Sequence, residues 1–190
     1  ACFGENPKTS GLTLALDAPL KVGTTTMVSL NEDRIAPRGA KYKSSDENVL
    51  KVDKQGYVSG ISEGNATLTA TVKGVSASIN VTVSQNHDYI KPERINLKQN
   101  VTLTHGYKMN AYKLIDSVYP QGAPKDCAVK TSSSSLGVVY KDLAPYSPGT
   151  YTVTFTSRYD ESVTASVEVT VEKVAPTELR VSGPAVTTPN

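Results

Sequence analysis

The strongest constraint on this chain is a hairpin written twice. Gly64-Asn65-Ala66-Thr67-Leu68-Thr69-Ala70-Thr71 lines up with Gly149-Thr150-Tyr151-Thr152-Val153-Thr154-Phe155-Thr156, and Val75-Ser76-Ala77-Ser78-Ile79-Asn80-Val81-Thr82-Val83 with Val163-Thr164-Ala165-Ser166-Val167-Glu168-Val169-Thr170-Val171. In each copy a Gly-led strand is followed by a strand whose apolar and polar residues alternate. Period-two alternation sends one set of side chains inward and the other to water. Strands of this kind close a core when two sheets stack, so a repeated hairpin predicts a repeated sandwich. The copies differ in the connection, where Ser157-Arg158-Tyr159-Asp160-Glu161-Ser162 stands opposite little more than Lys73-Gly74. An insertion confined to a turn is what two copies of one hairpin tolerate.

The opening strands repeat as well. Leu12-Thr13-Leu14, Ile95-Asn96-Leu97 and Leu179-Arg180-Val181 recur about 83 residues apart, and Lys91-Pro92-Glu93-Arg94 is echoed by Ala175-Pro176-Thr177-Glu178. The division expected is a lead over 1–9, a sandwich over 10–84, a linker over 85–91 and a second sandwich over 92–173. Residues 174–190 are then the first strand of an incomplete third repeat or a docking tail. Within it, 176–181 should be extended and either paired with another chain or domain or continued into a full third sandwich. Turn signals at Asn31-Glu32-Asp33, Lys54-Gln55-Gly56, Ser62-Glu63-Gly64, Pro120-Gln121-Gly122 and Ser147-Pro148-Gly149 separate the strands. The polar connection Ser84 to Pro92 is short, which limits the angle between the units without fixing it and predicts a semi-rigid rod.

Thr, Ser and Val dominate, and no run has helical spacing, so the class is all-β. Hydrophobic residues at 38% and charged residues at 20% allow a packed core. The 20 basic residues against 18 acidic ones are scattered singly, which argues against nucleic acid as a partner. No stretch approaches the roughly 18 to 20 apolar residues of a membrane-spanning helix. Ala1-Cys2-Phe3-Gly4-Glu5 has neither a basic head nor an apolar stretch, so no signal peptide is expected there. Cys2 and Cys127 lie far apart in the repeat scheme and are expected not to bridge each other.

The run Tyr42-Lys43-Ser44-Ser45-Asp46-Glu47-Asn48-Val49-Leu50-Lys51-Val52-Asp53-Lys54-Gln55-Gly56-Tyr57-Val58-Ser59-Gly60-Ile61-Ser62-Glu63-Gly64-Asn65-Ala66-Thr67-Leu68-Thr69-Ala70 resembles the bacterial immunoglobulin-like domain, group 2 (BIG2). That family shows an aromatic, a Ser-Ser pair, a Val-x-x-Val-Asp strand, a Gly-x-Val step and a Gly-x-Ala-x-Ile/Leu strand. It is the module of intimin and invasin relatives and of many bacteriophage head and tail proteins. The resemblance covers residues 10–84 well and 92–173 loosely. Tyr42 stands where the family often has Trp, and the second unit lacks the Asp-x-x-Gly-x-Val step, so its middle strands are expected to be arranged differently. The fold implied is tandem immunoglobulin-like β-sandwiches, a scaffold reused for many functions.

No constellation of catalytic residues emerges. His87 and His105 have no second ligand at a metal-binding spacing, and Asp46, Glu47 and Asp53 lack the pattern of a calcium loop. A Gly-x-Ser-x-Gly elbow, a phosphate loop and a Cys-His pair are all missing. No catalytic, cofactor or metal residue is assigned, and no enzymatic activity is expected. The Asn-x-Thr triplets at Asn65, Asn80 and Asn100 arise easily by chance in a Thr-rich chain.

Seven of the ten tyrosines lie in the second unit: Tyr107, Tyr112, Tyr119, Tyr140, Tyr146, Tyr151 and Tyr159. The plainer reading sends Tyr140 and Tyr151 into the core and leaves the rest to shield turns. The other makes them contacts for protein or sugar.

The function expected first is a non-enzymatic decoration or tail accessory component on a bacteriophage virion surface. Its partners would be other protein subunits of the assembly and a weakly held host-surface glycan or protein. The alternative is a stalk or spacer segment of a bacterial cell-surface adhesin. A carbohydrate-binding accessory module of an enzyme is the third reading.

Overall fold

The computed structural model describes residues 11–31 and 37–175. The expectations for 1–9, for Cys2 and for 176–190 fall outside the described residues.

Eight strands come from the first repeat: β1 (Leu14–Leu16), β2 (Leu20–Lys21), β3 (Thr25–Leu30), β4 (Lys41–Ser44), β5 (Leu50–Val52), β6 (Tyr57–Gly60), β7 (Gly64–Val72) and β8 (Val75–Ser84). They form two four-stranded sheets, in the orders β1-β3-β6-β5 and β2-β8-β7-β4. β2 runs parallel to β8, an isolated bridge joins Val22 to Gly60 in parallel, and the other strand pairings described in this unit are antiparallel. This is the immunoglobulin arrangement, with the A, B, E and D strands on one sheet and C, F and G on the other. The alternation in β7 and β8 buries Ala66, Leu68, Ala70, Val81 and Val83, which meet Leu14, Val28, Leu30, Leu50 and Val58 of the facing sheet. Each such Val or Leu contributes roughly 1.5–3 kcal/mol when fully buried. The outward residues form cross-strand pairs of their own, among them Thr69 with Ser78 at 2.7 Å and Thr71 with Ser76 at 2.7 Å.

The second repeat supplies β9 (Arg94–Leu97), β10 (Val101–Thr104), β11 (Met109–Asn110), β12 (Ile115–Tyr119), β13 (Cys127–Thr131), β14 (Leu136–Val139), β15 (Asp142–Pro145), β16 (Gly149–Ser157) and β17 (Thr164–Glu172). One sheet has the order β10-β17-β16-β13, again with a parallel first pair. The other is broken into β9-β12 and β11-β15-β14, because a one-turn 3₁₀ helix, Ala111–Leu114, separates β11 from β12. Asn110 caps that turn by accepting from the Tyr112 amide, and Ala111 and Leu114 are buried beneath it. The middle strands of this unit thus differ from those of the first at β11 and β12, whereas β14 and β15, where the Asp-x-x-Gly-x-Val step is missing, pair antiparallel just as β5 and β6 do.

The second core gathers Phe155, Val153, Val169 and Val171 with Leu136, Leu143, Leu114 and Ile95. Tyr151 is buried, and its hydroxyl donates to the Ser147 carbonyl at 2.8 Å. This is the tyrosine corner of immunoglobulin-like domains, at the start of strand F. Tyr140 departs from expectation: it sits half-buried at the β14–β15 turn with φ of 56°, outside the core. Alternation could not place it, because the strand ends one residue earlier.

The chain is all-β with tandem immunoglobulin-like sandwiches, and its hydrophobic residues form two separate clusters, one within residues 14–83 and one within 95–171. Among the described residues no helix is long and apolar enough to cross a membrane.

Candidate functional site

The turn insertion of the second repeat is where the chain concentrates its unusual side chains. β16 ends at Ser157, and the connection to β17 is shaped by Asp160. Its Oδ1 accepts from the Ser162 amide at 3.0 Å and the Ser162 hydroxyl at 2.6 Å, and its carbonyl accepts from the Val163 amide at 3.0 Å. The Ser162 hydroxyl and amide hold the Asp160 carboxyl below the usual carboxylate range. The Arg158 amide donates to the Asp126 carbonyl at 3.0 Å, tying this loop to the residue before β13.

Arg158 and Tyr159 project from this loop onto the outer face of β3, β6 and β5 in the first sandwich. Arg158 Nη1 donates to Asp53 Oδ2 at 2.7 Å, and the Arg158 side chain is only 9% exposed. Asp53 is pre-positioned: its Oδ1 accepts from the backbone amides of Gln55 and Tyr57, both at 2.9 Å, in the β5–β6 turn. The guanidinium also lies 4.5 Å from the centre of the Tyr57 ring. Burial opposes the charged form of Arg158, and the Asp53 charge and hydrogen bond more than offset it, leaving its pKa above the ordinary guanidinium value.

Tyr57 faces away from the first core and is nevertheless 5% exposed, because the second unit covers it. Tyr140 meets it edge-to-face, with ring centres 6.4 Å apart, and Lys141 Nζ lies 5.8 Å from its ring centre. Burial pushes the Tyr57 hydroxyl up to about 12.

Tyr159 makes the second bridge. Its hydroxyl is 2.7 Å from Asp126 Oδ2, to which it donates, and 2.8 Å from Thr25 Oγ1, which in turn lies 2.9 Å from Ser59 Oγ. Burial, and then the Asp126 charge, raise the Tyr159 pKa far above that of a free phenol. The connecting segment closes the arrangement. Tyr89 packs edge-to-face on Tyr159 at 6.1 Å, and Asn86 Nδ2 donates to the Val22 carbonyl at 2.9 Å. Gly23, with φ of 77°, lies so close beneath Tyr89 that an added Cβ would stand 2.1 Å from the ring. At the rim, Lys51 pairs with Glu161 at 3.0 Å and Lys91 with Asp160 at 3.3 Å. A cleft of ≈ 400 Å³ remains beside Arg158, lined by Lys51, Tyr57, Ser59, Lys130 and Thr156.

The junction is therefore more than the short linker that predicted a semi-rigid rod. Side chains of the insertion bind one sandwich to the outer face of the other. The groups present are an ion pair, phenols and hydroxyls that bond to one another, which is chemistry suited to holding surfaces together.

The other residues weighed in the sequence have local partners. Asp46 Oδ1 accepts from the Asn48 amide at 3.0 Å, Glu47 is exposed, and Asp53 belongs to the clasp. His87 is exposed in the connecting turn, while His105 Nε2 lies 2.9 Å from the Tyr146 carbonyl oxygen. Cys127 is buried and free, and burial followed by the Asp126 charge pushes its thiol up to about 12. Its amide and carbonyl both bond the Tyr112 hydroxyl, at 2.9 and 2.8 Å. Among the described residues no three His, Cys, Asp or Glu side chains gather as a metal site would require.

No family model matches the chain. It is 35% identical over 99 residues to the lacto-N-biosidase of Bifidobacterium bifidum, covering 46% of this chain and 9% of that enzyme. It is 38% identical over 76 residues to a 3-O-alpha-D-galactosyl-alpha-L-arabinofuranosidase of Bifidobacterium longum subsp. longum, covering 37% and 7%. The chain thus spans less than a tenth of the length of these curated relatives. Among solved structures, domains 4 and 5 of the S-layer protein SbsC superpose with a TM-score of 0.32 at 18% identity, covering 84% of this chain and 96% of that one.

Proposed function

We propose that this chain is a non-catalytic spacer of a larger bacterial protein exposed at or beyond the cell surface, holding its neighbours at a set separation and angle. The observation that carries this reading is the clasp. A flexible tether needs no contact between its units, whereas here the lengthened connection Ser157 to Ser162 aims Arg158 and Tyr159 across the junction. A spacer transmits geometry only when its joints are stiff, and the joint is where this chain departs from simple repetition.

The resemblance to group 2 bacterial immunoglobulin-like modules agrees with this setting. The matches to small parts of two bifidobacterial glycosidases favour an accessory segment of a large bacterial protein over the virion decoration expected first. The parts of those enzymes that carry out hydrolysis need not resemble this chain, since less than a tenth of each is matched. Partners in this reading are the protein segments the spacer separates.

The test uses two fluorophores, on Glu63→Cys and Glu172→Cys in a Cys2→Ser background. A single narrow transfer distance, together with no hydrolysis of chromogenic galactosides or arabinosides, is the expected result. A broad distribution of distances, or turnover of any of those substrates, contradicts the proposal.

A further inference from the structure

A second surface lies on the β9–β12 ribbon of the second sandwich and takes no part in the clasp. It is a groove of ≈ 500 Å³, and its polar lining is Arg94, Asn96, Ser117, Tyr119, Gln121 and Lys125. The pairing of Arg94 with Tyr119 in the antiparallel register brings the two side chains together on the outer face. The Arg94 guanidinium sits 5.0 Å from the Tyr119 ring centre, and the tyrosine is still 50% exposed. An exposed aromatic with a cation over its ring still offers apolar area to stack on, with a positive charge beside it.

The electrostatics are one-sided. Two cations line the groove and no carboxylate does; Glu93 and Asp116, the nearest acids along the two strands, lie outside the lining. Neither Arg94 nor Lys125 forms an ion pair among the described residues. Asn96 Nδ2 donates to Ser117 Oγ at 3.0 Å, which fixes the amide and leaves its carbonyl oxygen open to a hydroxyl donor. The Gln121 amide has no side-chain hydrogen bond among those of the described residues and adds a further donor and acceptor at the rim.

We infer that this groove binds a carboxylated sugar, a uronic or sialic acid unit of a glycan, with the apolar face of the sugar on Tyr119 and its carboxylate toward Arg94 and Lys125. A planar guanidinium matches a carboxylate through two parallel hydrogen bonds, and amide side chains match vicinal hydroxyls. A neutral sugar would leave both cations without a partner. A simple inorganic anion would leave the aromatic plate unused. The assignment stands apart from the spacer reading, and the binding assay below is blind to how the two sandwiches are joined.

The test is a titration of the full chain, followed by amide chemical shifts, with trigalacturonate and with 3′-sialyllactose. Maltotriose and sulfate serve as neutral and inorganic controls. Binding of at least one acidic sugar is expected, in the millimolar range, with shifts centred on Tyr119 and Gly122. Arg94→Ala and Tyr119→Ala should each weaken it roughly tenfold or more, with the remaining spectrum unchanged because both side chains are on the surface. Which acidic sugar binds more tightly separates the uronic from the sialic source. Binding of neither acidic sugar, equal binding of maltotriose or sulfate, or wild-type affinity in both variants overturns the assignment.

Discussion

Arg158 of the second sandwich donates to Asp53 of the first across 2.7 Å, and the carboxylate that receives it is already held by the amides of Gln55 and Tyr57. The pair is asymmetric in exposure, with Arg158 at 9% and Asp53 at 31%. Water therefore screens Asp53 in part, and the interaction falls between a surface pair and a fully buried one. Pre-orientation of the acceptor lowers the entropy lost on forming the contact.

Arg158→Ala and Asp53→Asn should each destabilise the protein, and a double-mutant cycle by denaturant unfolding should give a coupling of about 1–3 kcal/mol. A coupling near zero would mean that the contact contributes geometry without energy.

Tyr159→Phe removes one hydroxyl that serves both sandwiches, through Asp126 and Thr25. The expected cost is about 1–2 kcal/mol, because the part-buried Asp126 and Thr25 oxygens each lose a partner. Thr25→Val should cost less, since Tyr159 keeps its bond to Asp126. Thermal unfolding of the three proteins checks the order.

Alkaline pH should loosen the structure through the tyrosines of the junction. Tyr57 is raised from 10.0 to about 12 by burial, and Tyr159 is raised as well. A group whose folded pKa lies above its unfolded value contributes stability that is fully present below the unfolded pKa and is lost as pH rises toward the folded one. Stability should therefore fall as pH climbs from 10.0 toward about 12, and the fall should be shallower in Tyr57→Phe. A pH profile of the unfolding free energy tests this.

Gly23→Ala meets two obstacles, the φ of 77° and the Tyr89 ring. It should cost at least about 1–2 kcal/mol, more than an ordinary surface substitution. Gly106→Ala is the control. It shares the positive φ and has nothing within 4 Å of an added Cβ, so it should cost less. The difference in unfolding free energy between the two variants isolates the Tyr89 contact.

Much of the fold was legible because the hairpin repeat fixes the F and G strands, and their alternation fixes which residues face inward. Leu68, Val83, Val153 and Val169 are fully buried, as the period-two pattern requires. The split of the second unit's other sheet was not legible, since a 3₁₀ turn of four residues leaves no periodic trace, and the missing step lies elsewhere, at the β14–β15 hairpin. The clasp was half-legible. The length difference at Ser157 to Ser162 is plain in the sequence, yet its meaning depends on Asp53, Thr25 and Ser59, which lie about a hundred residues away and are brought together only by docking. Tyr57 is buried for the same reason: it points away from the first core in β6, and the second sandwich covers it.

The central claim, that the insertion joins the two sandwiches into one body, is tested most directly by residual dipolar couplings of the backbone amides, fitted separately to residues 14–83 and 95–171. A common alignment tensor in the wild type, splitting into two tensors in Arg158→Ala/Tyr159→Ala, is the predicted result. Two different tensors in the wild type would contradict it.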